Sequence, residues 1–464
     1  MRRLAILLTM VLVLAVSLAP IASATHDAST HSDNIELVAN YNPDLPPAEG
    51  EPDGQPDFRA GSDLAFWGNT AIMGNYGNPG GFRVIDISDP ANPVQVGQFV
   101  CQGSQADVAI WGDLVFESVD SPRDTPDCPN AGANQAQILT GTAWEGVRVV
   151  SIENPETPSQ IAAVYTDCGS HNNSVLPDLK NNRLLVYSMS YPVTNQGANC
   201  NYMTHRKVSV IEVPLDKPEE AKVIGTPSVE PSIGCHDVTF FPKLKLAGAA
   251  CLTETQMWDI SNPEEPEIIA HIPNQTGMSF SHSSTFTNDG RGLVVGDEMG
   301  GAIFAPGCLE DQTTTAAFWF YDVSDPENPV HKGHWKFPRQ QASVLCTAHN
   351  FNVVPLRNDT DLLIAIGYQA GIAVLDFTDM ENVTELGHYI ARDEHAEASV
   401  WASYWYNGYI WANNFDSSYA NALSDAAPGT SRGLDVFRFN DPIVKGAVKL
   451  KRLNPQLQEF LYRK

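Results

Sequence analysis

The chain returns to one short pattern seven times. It appears in residues 81–93 (GFRVIDISDPANP), 146–158 (GVRVVSIENPETP), 207–218 (KVSVIEVPLDKP), 255–266 (TQMWDISNPEEP), 318–329 (FWFYDVSDPENP), 371–383 (GIAVLDFTDMENV) and 433–442 (GLDVFRFNDP). Each copy joins a β-branched or aromatic strand to an Asp/Asn/Pro turn. The aligned positions Asp86, Ser151, Glu212, Asp259, Asp322, Asp376 and Arg438 lie 47 to 65 residues apart. A period of that size, with several strands per unit, belongs to a β-propeller rather than a helical solenoid. One unit reads plainly: strand 107–111, a Gly112-Asp113 hairpin turn, strand 114–119, an insertion, strand 146–152 and strand 159–166. The expected fold is all-β, a seven-bladed propeller. Its ring would be closed by residues 35–40 (IELVAN), which look like the fourth strand of a blade and should pair beside 433–439.

The remaining features set the surroundings of that ring. Residues 1–24 read as a secretory signal: Arg2 and Arg3, an apolar core, and cleavage after Ala24. Residues 25–34 read as a flexible leader, 35–453 as the propeller and 454–464 as a tail. No later stretch has the length of a membrane span, so the expectation is a secreted, monomeric protein. With 55 acidic against 28 basic residues the formal charge is −27, which repels nucleic-acid phosphates and argues against DNA or RNA partners. Eight cysteines suit an oxidising compartment. Their places relative to the repeat suggest sequential pairs: Cys101–Cys128, Cys168–Cys200, Cys235–Cys251 and Cys308–Cys346.

The repeat cores RVIDISDPANPVQVG and FYDVSDPENPVHKG resemble the LVIVD-repeat family of exported bacterial and archaeal proteins, over roughly residues 60–442. That resemblance implies a propeller and assigns no activity.

Alignment of the units places His171, His236, His282 and His349 at one position, just before the inner strand, in four consecutive blades. The other three blades carry Ser62, Ala106 and Trp401 there. The chain has only 12 histidines. Inner strands line the channel of a propeller, so these residues should converge at one mouth. Neutral imidazoles held on rigid strands suit a transition metal: copper first, then zinc, iron or nickel. The competing explanation is that each imidazole bonds the backbone of the neighbouring blade. His395 and Glu397, before the seventh inner strand, are candidates for proton transfer at the same mouth. Glu117, Glu254 and Glu298 read as isolated carboxylates. The histidine-lined mouth is also similar, in architecture alone, to selenium-binding protein and methanethiol oxidase propellers, which use histidines with copper.

Three functions fit these residues. The first is a metal-binding propeller, with a metal-dependent oxidoreductase acting on a small molecule as its catalytic form. The second is a non-catalytic module binding a protein or glycan partner. The third is a hydrolase or lyase using the same histidines as acid and base.

Overall fold

The computed structural model describes residues 30–41, 60–76, 80–192, 200–201, 205–298, 315–338, 346–391, 399–415 and 433–458. Seven antiparallel sheets follow one another round a ring. The inner strands of blades 1 to 7 are Ala60–Trp67, Val108–Trp111, Asn172–Asp178, Asp237–Phe241, Ser281–Phe286, Asn352–Val353 and Ser399–Tyr406. The ring closes as the sequence suggests. Ile35–Tyr41 pairs antiparallel with Leu434–Phe439 and completes blade 7. Residues Thr30–His31, in the segment read as a leader, pair with the outer strand of blade 6. The signal segment lies outside the described residues.

The repeated turn has a mechanical explanation. Asp86, Asp259, Asp322 and Asp376 each accept a hydrogen bond from the backbone N–H two residues on. Asp89, Asp325 and Asp379 then do the same. Two Asx turns in tandem reverse the chain between the third and fourth strands. The glycine that follows, as in VQVG, marks where that turn of the next blade docks. A Cβ at Gly97 would lie 1.9 Å from the Pro155 carbonyl oxygen, and one at Gly333 2.6 Å from that of Met380. Hydrophobic residues fill the space between blades, with Trp258, Trp405, Trp411 and Tyr187 among the largest fully buried side chains.

Three of the expected disulfides are present: Cys101–Cys128, Cys168–Cys200 and Cys235–Cys251. Cys346 is disulfide-bonded; Cys308, its expected partner, lies outside the described residues. Cys168, Cys235 and Cys346 each stand within three residues of an aligned histidine, so covalent ties hold the approach to the inner strands.

The C-terminal segment is not an external tail. Arg452–Leu453 adds a strand to the channel side of blade 1. Residues 454–458 are buried and cross the channel. The Asn454 amide accepts from Ile110 N and donates to Ile110 O, both at 2.8 Å. Gln458 does the same to Phe286, at 2.6 and 2.8 Å. Gln456 O accepts from Phe240 N at 2.8 Å. The innermost strand of each blade presents unpaired backbone groups to the channel, and the amides stand in for a missing neighbour. These contacts fall on the later residues of the inner strands, so the segment plugs the mouth opposite the histidines.

Candidate metal centre

His171 and His236 immediately precede their inner strands, His282 is the second residue of its own, and His349 lies three residues ahead of Asn352–Val353. The four rings form a continuous arc. Successive ring centroids are 4.7, 3.6 and 4.4 Å apart from His171 to His349. Trp401 continues the arc into blade 7, 4.5 Å from His349. His236, His282 and His349 are buried, and the side chain of His171 is 15% exposed.

The four rings are held differently. His171 Nδ1 lies 2.7 Å from Asp120 Oδ2. His349 Nδ1 donates to the Trp401 carbonyl oxygen. Such bonds fix the ring and leave Nε2 as the basic nitrogen. His236 Nδ1 accepts from Asn172 Nδ2 at 2.8 Å, a bond across to the neighbouring blade. His282 is the exception. Neither of its ring nitrogens makes a hydrogen bond, although the residue is 1% exposed.

A carboxylate joins this arc. Glu298 Oε2 is 3.3 Å from His282 Nε2, and Oε1 is 3.7 Å from His349 Nε2. Candidate ligand atoms of His282, Glu298 and His349 all lie within 4.8 Å of one another, as do those of His236, Asp237 and His282. The Tyr368 hydroxyl donates to Glu298 Oε1 at 2.7 Å. Tyr368 sits at φ 51°, a left-handed conformation that an aromatic residue rarely adopts. Strain of that kind gathers where a side chain must be aimed.

Electrostatics follow burial. Desolvation holds His236 and His282 well below the usual imidazole range, and neighbouring histidines add to the effect. Burial lowers His349 to about 3, partly offset by its bond to Trp401. Burial pushes Glu298 up to about 7, against the Tyr368 hydrogen bond that favours its charged form. The centre therefore sets three neutral imidazoles, of His236, His282 and His349, against one carboxyl that burial raises to about 7.

The sequence marked the histidines and read Glu298 only as an isolated carboxylate. It directly follows the second strand of blade 5: Asp297 pairs with Ser281, Glu298 N donates to Phe280 O, and a register shift between Ser281 and Ser283 leaves His282 in a bulge. Glu117 instead pairs with buried Arg148 at 3.1 Å, and Glu254 bonds Gln256 and faces His271. His395 and Glu397 lie outside the described residues. Tyr191 and Phe280 stand over the arc, 5.2 Å from His171 and 6.1 Å from His282 respectively.

Fold and arc together define a seven-bladed β-propeller with histidines lining one mouth of its channel. The LVIVD repeat model matches residues 68–100, so this propeller carries an LVIVD repeat in its first blade. No curated protein matches the sequence. Among solved structures it is similar to the β-propeller domain of Cps50 (Swd1) from Myceliophteria thermophila, at 7% identity and TM-score 0.49, over 87% of this chain and 99% of that one. A putative 6-phosphogluconolactonase from Bacteroides uniformis aligns at 11% identity and TM-score 0.48, over 76% and 89%. The computationally designed Ika8 protein aligns at 10% and 0.44, over 83% and 98%.

Proposed function

We propose that this propeller binds one first-row transition metal ion, held by His282, His349 and Glu298, with His236 and His171 beside it. The observation that carries the reading is His282. A buried imidazole with both nitrogens unbonded is costly, and a metal ion is the partner that its two neighbours are also placed to share. The Nδ1 bonds of His349 and His171 supply the outer support that metal-bound imidazoles commonly have. Imidazole and carboxylate together suit iron, zinc, nickel or copper. The carboxylate weakens the preference for copper that an imidazole-only set would carry. A redox-active ion would make the protein an exported oxidoreductase. The residues' own work would be to hold the ion, exclude water with Tyr191, Phe280 and Trp401, and pass a proton between Tyr368 and Glu298.

The binding-module reading draws on His236, which behaves as a staple between blades. It does not explain His282. Elemental analysis of the purified full chain separates the two. One equivalent of metal in wild type, lost in H282A and E298Q with circular dichroism unchanged, supports a metal centre. Absence of metal after exposure to each candidate ion rejects it.

A further inference from the structure

Beside the histidine arc, towards the plugged mouth, the channel has a second layer built of oxygen. Asp63, Asp107 and Asp237 lie near the starts of the inner strands of blades 1, 2 and 4 and are at most 2% exposed. Asp63 and Asp107 lie side by side. The Tyr404 hydroxyl donates to Asp63 Oδ1, Asn173 N to Asp107 Oδ2 at 3.0 Å, and Asn172 Nδ2 to Asp237 Oδ1 at 2.9 Å. Among the described residues none of the three has a lysine or arginine within ion-pair distance. A small polar cavity lies against this layer, lined by Asp237, Asn350, Ser283, Tyr404 and, from the C-terminal plug, Pro455 and Gln456. Two further oxygens are buried there without a hydrogen bond: Asn350 Oδ1, on a residue 3% exposed, and Asp63 Oδ2.

We propose that this chamber binds a single hard metal cation through oxygen ligands, at a site separate from the histidine centre. Buried carboxylates are normally paired with a cationic side chain or coordinate a metal, and the first partner is missing here. The unsatisfied atoms are carboxylate and amide oxygens, which accept and cannot donate. Carboxylate, amide and hydroxyl oxygens are the ligands of calcium or an alkali cation, whereas imidazole suits the transition ions. Donors from blades 4, 5 and 6 line the chamber, and Asp63 of blade 1 stands behind Tyr404, so a bound cation would tie non-adjacent blades across the channel, with the C-terminal segment as its floor. The proposal stands whether or not the histidines hold a metal.

The test uses the full chain, stripped with chelator and titrated with Ca2+ while unfolding is followed by heat. Saturable binding to the folded state should raise Tm by about 2 °C or more. Na+ and K+ at matched ionic strength are the other arms; a response to either in place of Ca2+ gives the site to a monovalent ion and equally supports it. D63N should lose the response and H282A should keep it. If D63N fails to fold, D107N carries the same readout. The proposal is overturned if no cation shifts Tm, which leaves a water in the chamber. It is also overturned if the shift survives in D63N, which assigns it to the acidic surface, or disappears in H282A, which places the ion among the histidines.

Discussion

His236 and His282 have the same repeat position and opposite circumstances. One has a ring nitrogen bonded to the neighbouring blade; the other has neither nitrogen in a hydrogen bond. Leaving a buried donor or acceptor unpaired costs about 1–3 kcal/mol. Removal of His236 takes an acceptor from the Asn172 amide, whereas removal of His282 breaks no hydrogen bond and leaves only its contact with Glu298. In metal-free protein, H236A should therefore lower Tm more than H282A does. Equal losses would mean that His282 is held by bonds of its own.

Glu298 sets the pH dependence. Its folded value of about 7 lies above the 4.5 of the unfolded chain. The stability it contributes is present at low pH and is lost as pH rises through 7. Metal-free wild type should lose part of its stability between pH 5 and 8, and E298Q should lose less over that interval. His205, lowered to about 4 mainly by burial, acts in the opposite sense: its contribution disappears as pH falls from 6.5 towards 4. Metal binding follows Glu298. The buried histidines stay neutral well below pH 6, so the carboxyl takes up the competing proton first. Affinity should fall as pH drops below about 7 in wild type. An affinity that does not change between pH 8 and 6 would show that Glu298 is not a ligand.

At the scale of the strand, the ring depends on both ends of the chain. Deletion of residues 30–41 removes the fourth strand of blade 7 and a strand from blade 6. Tm should drop by many degrees, and an unchanged Tm would contradict the closure. The double variant N454A/Q458A loses four hydrogen bonds to Ile110 and Phe286. A fall of about 3 °C or more is expected. The strand order and the closure could be read because the repeat fixes them: tandem turns and alternating hydrophobic residues recur in register. The plug could not. Residues 450–458 are unique in the chain, and their amides bond to backbone atoms whose partners depend on the closed ring. The histidine arc was legible because equivalent positions converge by symmetry. Glu298 and the buried aspartates required strand register and the depth of the channel, which no single repeat carries.

The whole molecule is a rigid ring with its openings treated differently. One mouth is plugged by the chain's own C-terminal segment; the other carries imidazoles, a carboxyl and aromatic side chains behind disulfide-tied loops. The formal charge of −27 favours approach of cations to that mouth and keeps anionic polymers away. Rigid strands on separate blades hold each group in place, so a single ligand substitution should change occupancy more than fold. The most direct measurement is anomalous diffraction from crystals of the full chain grown with each candidate ion, recorded at its absorption edge. A single peak within bonding distance of His282 Nε2, His349 Nε2 and a Glu298 oxygen is the predicted result. A map without a peak there at full metal concentration, with His282 still unbonded, would contradict it.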